Sequence, residues 1–182
     1  NFINDSLECF FRTTSNRFFN VLLANFNVIN YIKFEDFKNL LFDIHQKTDE
    51  NAIFIFDTWS LEFVKNNSDQ KCSMREFKLP NKLGSSLKRE SQSFFKSVDN
   101  SLEISFNFSL KENNKEIKMG QEKHTIYPYS IENIKQYFLR ISNLWKLKSL
   151  KSYEEINENN LYKSHENQFS SFRNWYIILE KV

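Results

Sequence analysis

The sequence contains few residues whose types and spacing could form a catalytic or ligand-binding site. Its two glycines, Gly84 and Gly120, stand far apart, whereas phosphate-binding loops and dinucleotide fingerprints need clustered glycines so that backbone amides reach the phosphates. The three histidines, His45, His124 and His165, are scattered, and no two of them have the spacing of one helical turn. No nucleophile elbow of the G-x-S-x-G kind occurs. The sequence therefore predicts neither a nucleotide site nor a serine hydrolase.

Metal and acid–base chemistry have equally little support in the sequence. Cys9 and Cys72 are distant from each other, which argues against a disulfide scaffold and against a sequence-local zinc site. Asp57 lies in an apolar stretch, where burial could raise the pKa of a carboxyl group towards that of a catalytic base. A hydrogen-bonded aspartate near a strand bend is the commoner explanation of such a residue. We predict no catalytic residue, no metal, no cofactor and no enzyme activity.

One basic segment could bind a partner. It combines positive charge with an aromatic ring, through Arg140, Trp145, Lys146, Lys148 and Lys151. Its lysines could contact phosphates while the indole stacks on a base, or the surface could hold another protein. The same residues also suit the end of an amphipathic helix, where positive charge complements the helix dipole. The net charge of +2 argues against a nucleic-acid-binding surface over the whole molecule.

The composition is that of a folded chain. Hydrophobic residues make up 40% of the 182 residues, and twenty residues are Phe, enough for a substantial core. Apolar runs are too short for a membrane-spanning helix, and no signal peptide is visible. With so few cysteines, we expect an intracellular protein of the cytoplasm, or of the nucleus if it binds nucleic acid.

The stretch AIFIFDTWSLEFV, residues 52–64, alternates like a strand. A polar turn at residues 48–51 predicts that it is the return strand of a hairpin that begins near Phe42. One face of this strand is predicted to form the structural core, through Ile53, Ile55, Trp59, Leu61 and Phe63. If Trp59 is fully buried, its replacement by Ala should cost about 3–5 kcal/mol.

Periodicity predicts the remaining elements. Helical spacing of apolar residues predicts helices at residues 2–12, 33–42, 83–98 and 131–142, the last with Ser130 as its N-cap. Strict alternation predicts a strand at residues 101–111. Residues 174–182 are predicted to form a last strand, and residues 65–82 a long loop. Because helices and strands do not alternate regularly, the predicted fold class is α+β, an antiparallel sheet packed on helices.

Three segments resemble the HORMA domain family. FDIHQKTDENAIFIFDTWSLEFV, residues 42–64, is similar to the Trp-containing hairpin of the HORMA subunit of the autophagy-initiation kinase complex, the autophagy-related 13 family. SNRFFNVLLANFNVI, residues 15–29, resembles that family's WFN segment with Phe18 in place of Trp. YSIENIKQYFLRISNLWKLKS, residues 129–149, resembles its central helix, and residues 65–128 have no counterpart.

This resemblance implies a single HORMA-like domain over residues 1–182. It further implies a non-catalytic scaffold that pairs with a second HORMA protein and recruits partners to the autophagy-initiation kinase complex. The alternative is a pair of small winged-helix domains, residues 1–82 and 83–182, in a DNA-maintenance or telomere complex. That alternative predicts nucleic-acid binding that weakens steeply as salt concentration rises.

Overall fold

The computed structural model describes residues 10–11, 19–67, 71–79, 85–112, 115–153 and 173–182. The chain divides into two compact units, which we call the first unit (residues 1–63 and 127–182) and the second unit (residues 64–126). Its elements, in chain order, are β1 (Phe19–Ala24), a 3₁₀ helix (Val28–Tyr31), α1 (Phe34–Gln46), β2 (Thr48–Trp59), α2 (Leu61–Asn66), β3 (Lys71–Lys78), β4 (Ser86–Lys96), β5 (Ser101–Glu112), β6 (Lys115–Ile126), α3 (Ile131–Arg140), β7 (Trp145–Ser152) and β8 (Asn174–Lys181).

The first unit contains a four-stranded sheet with the order β1-β2-β8-β7. β1 and β2 run parallel, and β8 is antiparallel to both of its neighbours. A parallel pair needs a crossover connection, and α1 provides it. The predicted hairpin is therefore wrong: α1 continues beyond Phe42 to Gln46 because Leu41 and Ile44 extend its buried stripe.

The core of the first unit lies on one face of this sheet. Phe54 and Phe56 of β2 pair with Leu179 and Ile177 of β8, and all four side chains are buried. Helix α1 packs into the same core through its buried stripe, which includes Phe37. Helix α3 also contributes its buried residues, Ile131, Ile134 and Phe138.

The residues that the sequence predicts to form the core are not in the core of the first unit. Ile53, Ile55 and Trp59 are only half-buried, on the opposite face of β2 from the core. Leu61 and Phe63 are half-buried too and belong to α2, since the strand ends at Trp59. The prediction chose the wrong face because β2 begins with apolar side chains on both faces, as parallel strands usually do.

Several other elements match their predictions and two do not. The strands β5 and β8 and the helix α3 are confirmed, and the Ser130 hydroxyl caps α3 by accepting the Asn133 backbone N–H at 3.3 Å. The helix predicted at residues 83–98 is instead the strand β4, and the predicted loop at residues 65–82 contains β3. Of the helix predicted at residues 2–12, only residues 10–11 are described, and these are helical.

The second unit is built on an antiparallel sheet with the order β3-β4-β5-β6. The predicted α+β class, one antiparallel sheet packed on helices, is wrong, because a parallel β-α-β unit organises the first unit. The sequence predicts either one domain over residues 1–182 or two domains, residues 1–82 and 83–182. Whether these segments are separate folding domains stays a prediction. In the described part of the chain, no helix is long and apolar enough to cross a membrane.

Candidate functional site

The parallel strands β1 and β2 end at the same edge of their sheet, and this edge is where open α/β sheets bind ligands. The loop that follows β1 adopts an unusual backbone, with φ of 62° at Phe26 and 58° at Asn27. Asn adopts such left-handed conformations readily, whereas a bulky Phe does so at a cost in energy. The Phe26 side chain is 92% exposed, so packing in this chain does not explain its conformation.

Asp57, near the end of β2, holds this loop in place. Its side chain is buried, and its Oδ1 atom accepts the backbone N–H of Asn27 at 2.8 Å. Burial raises the pKa of the Asp57 carboxyl group, and hydrogen bonds from the backbone of Asn27, of Asp57 itself and of Phe26 oppose that rise. Asp57 is therefore a hydrogen-bonded aspartate near the end of a strand, which is the commoner of the two explanations that the sequence allows.

Asn30 fixes the 3₁₀ helix to the end of β2. Its fully buried side chain donates from Nδ2 to Thr58 Oγ1 and to the Tyr127 carbonyl, both at 2.8 Å. Its Oδ1 atom accepts the Trp59 backbone N–H at 2.9 Å. With three hydrogen bonds, this side chain joins the loop, the strand and the segment that precedes α3.

The Tyr129 hydroxyl fixes the other end of the 3₁₀ helix. It lies 3.0 Å from the carbonyl oxygen of Ile29 and 2.8 Å from that of Ile32, so one O–H is shared between two acceptors. The Tyr129 ring is buried against Phe34 and Phe37 of α1. The loop is therefore anchored on both sides and presents a fixed surface.

We call this surface the β1 loop site: Phe26, Asn27, Val28, Tyr31 and the supporting Asp57. Phe26, Val28 and Tyr31 are exposed apolar or aromatic side chains on an anchored backbone. These side chains can pack against a ligand, and the Tyr31 hydroxyl can donate or accept a hydrogen bond. Among the described residues, no cluster of three His, Cys, Asp or Glu side chains could hold a metal ion.

An apolar cavity of about 210 Å³ lies beside β1 in the first unit. Its lining comes from residues 10–11, from β1, α1 and β2, and from Ile29 of the 3₁₀ helix. A cavity with such walls can accept an apolar side chain or ligand group but offers no polar group to orient it.

The basic segment predicted to bind a partner has a different structure from the one expected. Trp145 is 1% exposed, and its Nε1–H donates to the Leu41 carbonyl at 3.3 Å, so its ring is not available for stacking on a base. Lys146, Lys148 and Lys151 are exposed on the edge strand β7, where lysines discourage pairing with other chains. Lys148 Nζ lies 2.9 Å from Glu180 Oε2.

The helical interpretation of this segment is therefore wrong from Trp145 onwards. Arg140 is exposed at the last position of α3, where its charge does complement the helix dipole. A partner-binding role for Arg140 and the three lysines stays a prediction.

No protein-family profile and no curated protein sequence matches this chain. Solved structures do match it. An S-adenosylmethionine-dependent methyltransferase from Clostridium acetobutylicum superposes with a TM-score of 0.67 at 14% identity, over 97% of this chain and 62% of that one. CalS10, an amino pentose methyltransferase from Micromonospora echinaspora, gives 0.64 at 8% identity, over 94% and 62%. The sugar N-methyltransferase KedS8 from Streptoalloteichus gives 0.59 at 8% identity, over 92% and 59%.

These matches show that the chain has the Rossmann-like fold of S-adenosylmethionine-dependent methyltransferases. The chain spans about three-fifths of the length of these structures. The HORMA resemblance and the winged-helix alternative are both wrong, because the matched structures are methyltransferases. The prediction of a non-catalytic scaffold in autophagy initiation is contradicted by the same finding, since the matched structures are enzymes.

S-adenosylmethionine, the cofactor that this fold implies, does not fit the described residues as a complete site. Doubly wound folds bind such cofactors with a glycine-rich turn after their first strand. The sequence has only two glycines, and neither follows β1 or β2. Gly120 lies in β6 of the second unit, with open space where a Cβ atom would be. The β1 loop site can form at most one wall of a cofactor site.

Proposed function

We propose that this chain is the acceptor-facing portion of an S-adenosylmethionine-dependent methyltransferase. The observation that carries the proposal is the β1 loop site, an anchored loop with exposed aromatic side chains at the carboxyl ends of two parallel strands. Ligands bind at that end of such sheets. In this proposal Phe26 and Tyr31 form the surface against which the methyl acceptor packs.

The anchoring of the loop supports a role in catalysis rather than in folding alone. Methyl transfer depends on placing the acceptor atom correctly, and a rigid binding surface reduces the entropy lost on binding. Asp57, Asn30 and Tyr129 together hold the loop with buried hydrogen bonds, including the left-handed backbone at Phe26. Strained backbone of this kind is common at functional sites.

The acceptor we propose is a small molecule that carries an amino group, such as an aminosugar. CalS10 acts on an amino pentose and KedS8 is a sugar N-methyltransferase, and both share the fold of this chain. An aromatic surface suits a sugar because the C–H face of the ring packs on it while the amino and hydroxyl groups stay free.

The residues that bind most of the cofactor lie, in this proposal, on strands that pair with the free edge of β1. Among the described strands, β1 pairs with β2 alone. Val21 and Leu23 are each 63% exposed, although parallel strands are normally buried on both faces. The matched methyltransferases are longer than this chain, so their fold has room for additional strands at this edge.

The test is a methyl-transfer assay on the protein at its native length, purified from its source with an antibody raised against this chain. Methyl-tritiated S-adenosylmethionine is supplied with a panel of aminosugars, each paired with the analogue that has a hydroxyl group in place of the amine. We expect label on the amines and none on the hydroxyl analogues. If the native-length protein neither binds S-adenosylmethionine nor labels any amine, the proposal is wrong.

A further inference from the structure

A second carboxylate lies at the carboxyl end of β2, close to the β1 loop site. The strand β2 ends at Trp59, whose backbone N–H donates to Asn30 Oδ1 of the 3₁₀ helix at 2.9 Å. Glu62 follows three residues later, in the first turn of α2, so its Cα atom lies within about 11 Å of the Trp59 Cα atom. Glu62 is half-buried. Because ligands bind at this edge of open α/β sheets, the Glu62 carboxylate is placed to contact one.

Two serine hydroxyls hold the Glu62 carboxylate in place. Ser130 Oγ donates to Glu62 Oε1 at 2.6 Å, and Ser60 Oγ donates to Glu62 Oε2 at 3.0 Å. Each serine oxygen also accepts a backbone N–H, from Asn133 at 3.3 Å and from Phe63 at 3.1 Å. Because each serine oxygen accepts a backbone N–H, its own hydrogen is left to point at the carboxylate. The position of the carboxylate is therefore fixed from two separate segments of the chain.

The Glu62 carboxylate can accept a further hydrogen bond. A carboxylate has about four lone-pair positions for hydrogen bonds. Three of them are used, by the two serine hydroxyls and by the backbone N–H of Ile131, which lies 3.4 Å from Oε2. Among the described residues, Oε1 accepts from Ser130 alone, and no lysine, arginine or histidine forms an ion pair with Glu62. The carboxylate therefore has room for a cationic donor from a ligand.

Helix capping does not by itself explain Glu62. Ser130 already caps α3 by accepting the Asn133 backbone N–H. The additional contact from the Ile131 N–H to Glu62 is long, at 3.4 Å. Asp57, the carboxylate that supports the β1 loop, is only 4% exposed, and its Oδ1 atom holds the loop backbone. Of these two carboxylates, Glu62 is the one that a ligand can reach.

We propose that Glu62 binds the protonated amino group of the acceptor, an inference that rests on the proposed function. An ammonium group donates to a carboxylate in a charge-assisted hydrogen bond, which is about twice as strong as a neutral one. Because the serine hydroxyls fix the carboxylate, the acceptor nitrogen is held at one position while the sugar ring packs on the β1 loop site. An amine becomes a nucleophile only after its ammonium form loses a proton, and the Glu62 carboxylate can accept that proton.

The test is a binding measurement on the native-length protein that needs no cofactor. Isothermal titration calorimetry gives the dissociation constant for each aminosugar of the panel and for its hydroxyl analogue. The ratio of the two constants measures recognition of the amino group. Glu62→Gln keeps the size of the side chain and removes its charge, whereas Glu62→Asp keeps the charge on a shorter side chain. Glu132→Gln is the matched control, because Glu132 is an exposed carboxylate in the first turn of α3.

We expect the wild type and Glu132→Gln to bind an aminosugar about tenfold or more tightly than its hydroxyl analogue. Glu62→Gln should bind both ligands to within about threefold of each other, with unchanged affinity for the analogue, and Glu62→Asp should recover part of the preference. Tenfold selectivity in Glu62→Gln, or an equal loss of both affinities, would overturn the inference, even where the wild type labels amines and so supports the proposed function. If the wild type neither labels nor binds any amine, the proposed function fails and the inference fails with it.

Discussion

The carboxylate of Asp57 at the end of β2 accepts the backbone N–H of Asn27 at 2.8 Å, thirty residues earlier in the chain. This contact lets a left-handed turn form at Phe26 and Asn27 without glycine. A carboxylate that accepts backbone N–H groups can hold a loop against strain, which explains why an acidic side chain is buried here.

The pH dependence of stability should report the burial of Asp57, because burial raises its pKa more than the backbone hydrogen bonds lower it. The pKa of Asp57 is raised above its ordinary value of 3.8, so the folded chain binds the proton more tightly than the unfolded chain does. The stability that this group contributes is therefore present at low pH and is lost as the pH rises through the raised pKa. Asp57→Asn keeps an acceptor oxygen but removes this titration.

Urea midpoints measured from pH 3 to pH 7 test this expectation. Relative to wild type, Asp57→Asn should gain stability progressively as the pH rises above about 4. Glu50→Gln serves as control, because Glu50 is an exposed carboxylate on the same strand. A constant difference between wild type and Asp57→Asn over this range would show that Asp57 titrates as it does in the unfolded chain.

Removal of the Asn30 side chain should destabilise the first unit. Asn30→Ala deletes the three hydrogen bonds of a fully buried side chain and leaves the Trp59 N–H and the Tyr127 carbonyl without this partner. Unsatisfied buried groups of this kind cost about 1–3 kcal/mol each. We therefore expect a loss of at least about 2 kcal/mol in the free energy of unfolding. Asn39→Ala, on the exposed side of α1, should change it by less than about 0.5 kcal/mol.

Two of the three tryptophans, Trp59 and Trp145, should differ in their contributions to stability. Trp145 is 1% exposed and lies in the core, so Trp145→Ala should cost about 3–5 kcal/mol. Trp59 is half-buried, with the Arg173 guanidinium 3.8 Å from the centre of its ring. Trp59→Ala should therefore cost less than half as much as Trp145→Ala. Denaturant unfolding measures both, and equal losses would show that Trp59 belongs to the core after all.

The sequence predicts an element well where apolar and polar residues follow one clear period. Strand β5 alternates strictly, and α3 has a single apolar stripe with a capping Ser130, so both were predicted close to their observed bounds. The strand β7 also alternates, with Lys146 and Lys148 on either side of Leu147, but the same lysines fit the end of a helix equally well in the sequence. A short segment of this kind fits both the helical period of 3.6 residues and the strand period of two residues. The pairing of β7 with β8 determines that it forms a strand.

The predictions failed where burial depends on distant parts of the chain. β2 is apolar on both faces, and which face forms the core depends on the helices α1 and α3. The β1 loop site was not predicted because its backbone is set by Asp57, Asn30 and Tyr129 from three separate segments. One local signal was present: the sequence Asn25-Phe26-Asn27 interrupts an apolar run between a strand and a helix.

Phe26 provides the most direct test of the β1 loop site. Because its side chain is 92% exposed, Phe26→Ala should change the free energy of unfolding by no more than about 0.5 kcal/mol. If the ring packs against the methyl acceptor, the same substitution should lower kcat/KM for that acceptor about tenfold, equivalent to about 1.4 kcal/mol. Binding of S-adenosylmethionine should change much less, since most of its site is proposed to lie on other strands.

The matched control is Phe42→Ala, which removes another exposed ring from the helix α1 of the same unit. This variant should retain wild-type kcat/KM for the acceptor. Equal activity of Phe26→Ala and wild type would place the acceptor elsewhere. Loss of stability in Phe26→Ala would show instead that the ring is a structural element of the loop. Only an intact fold with weakened acceptor use assigns Phe26 to the binding surface.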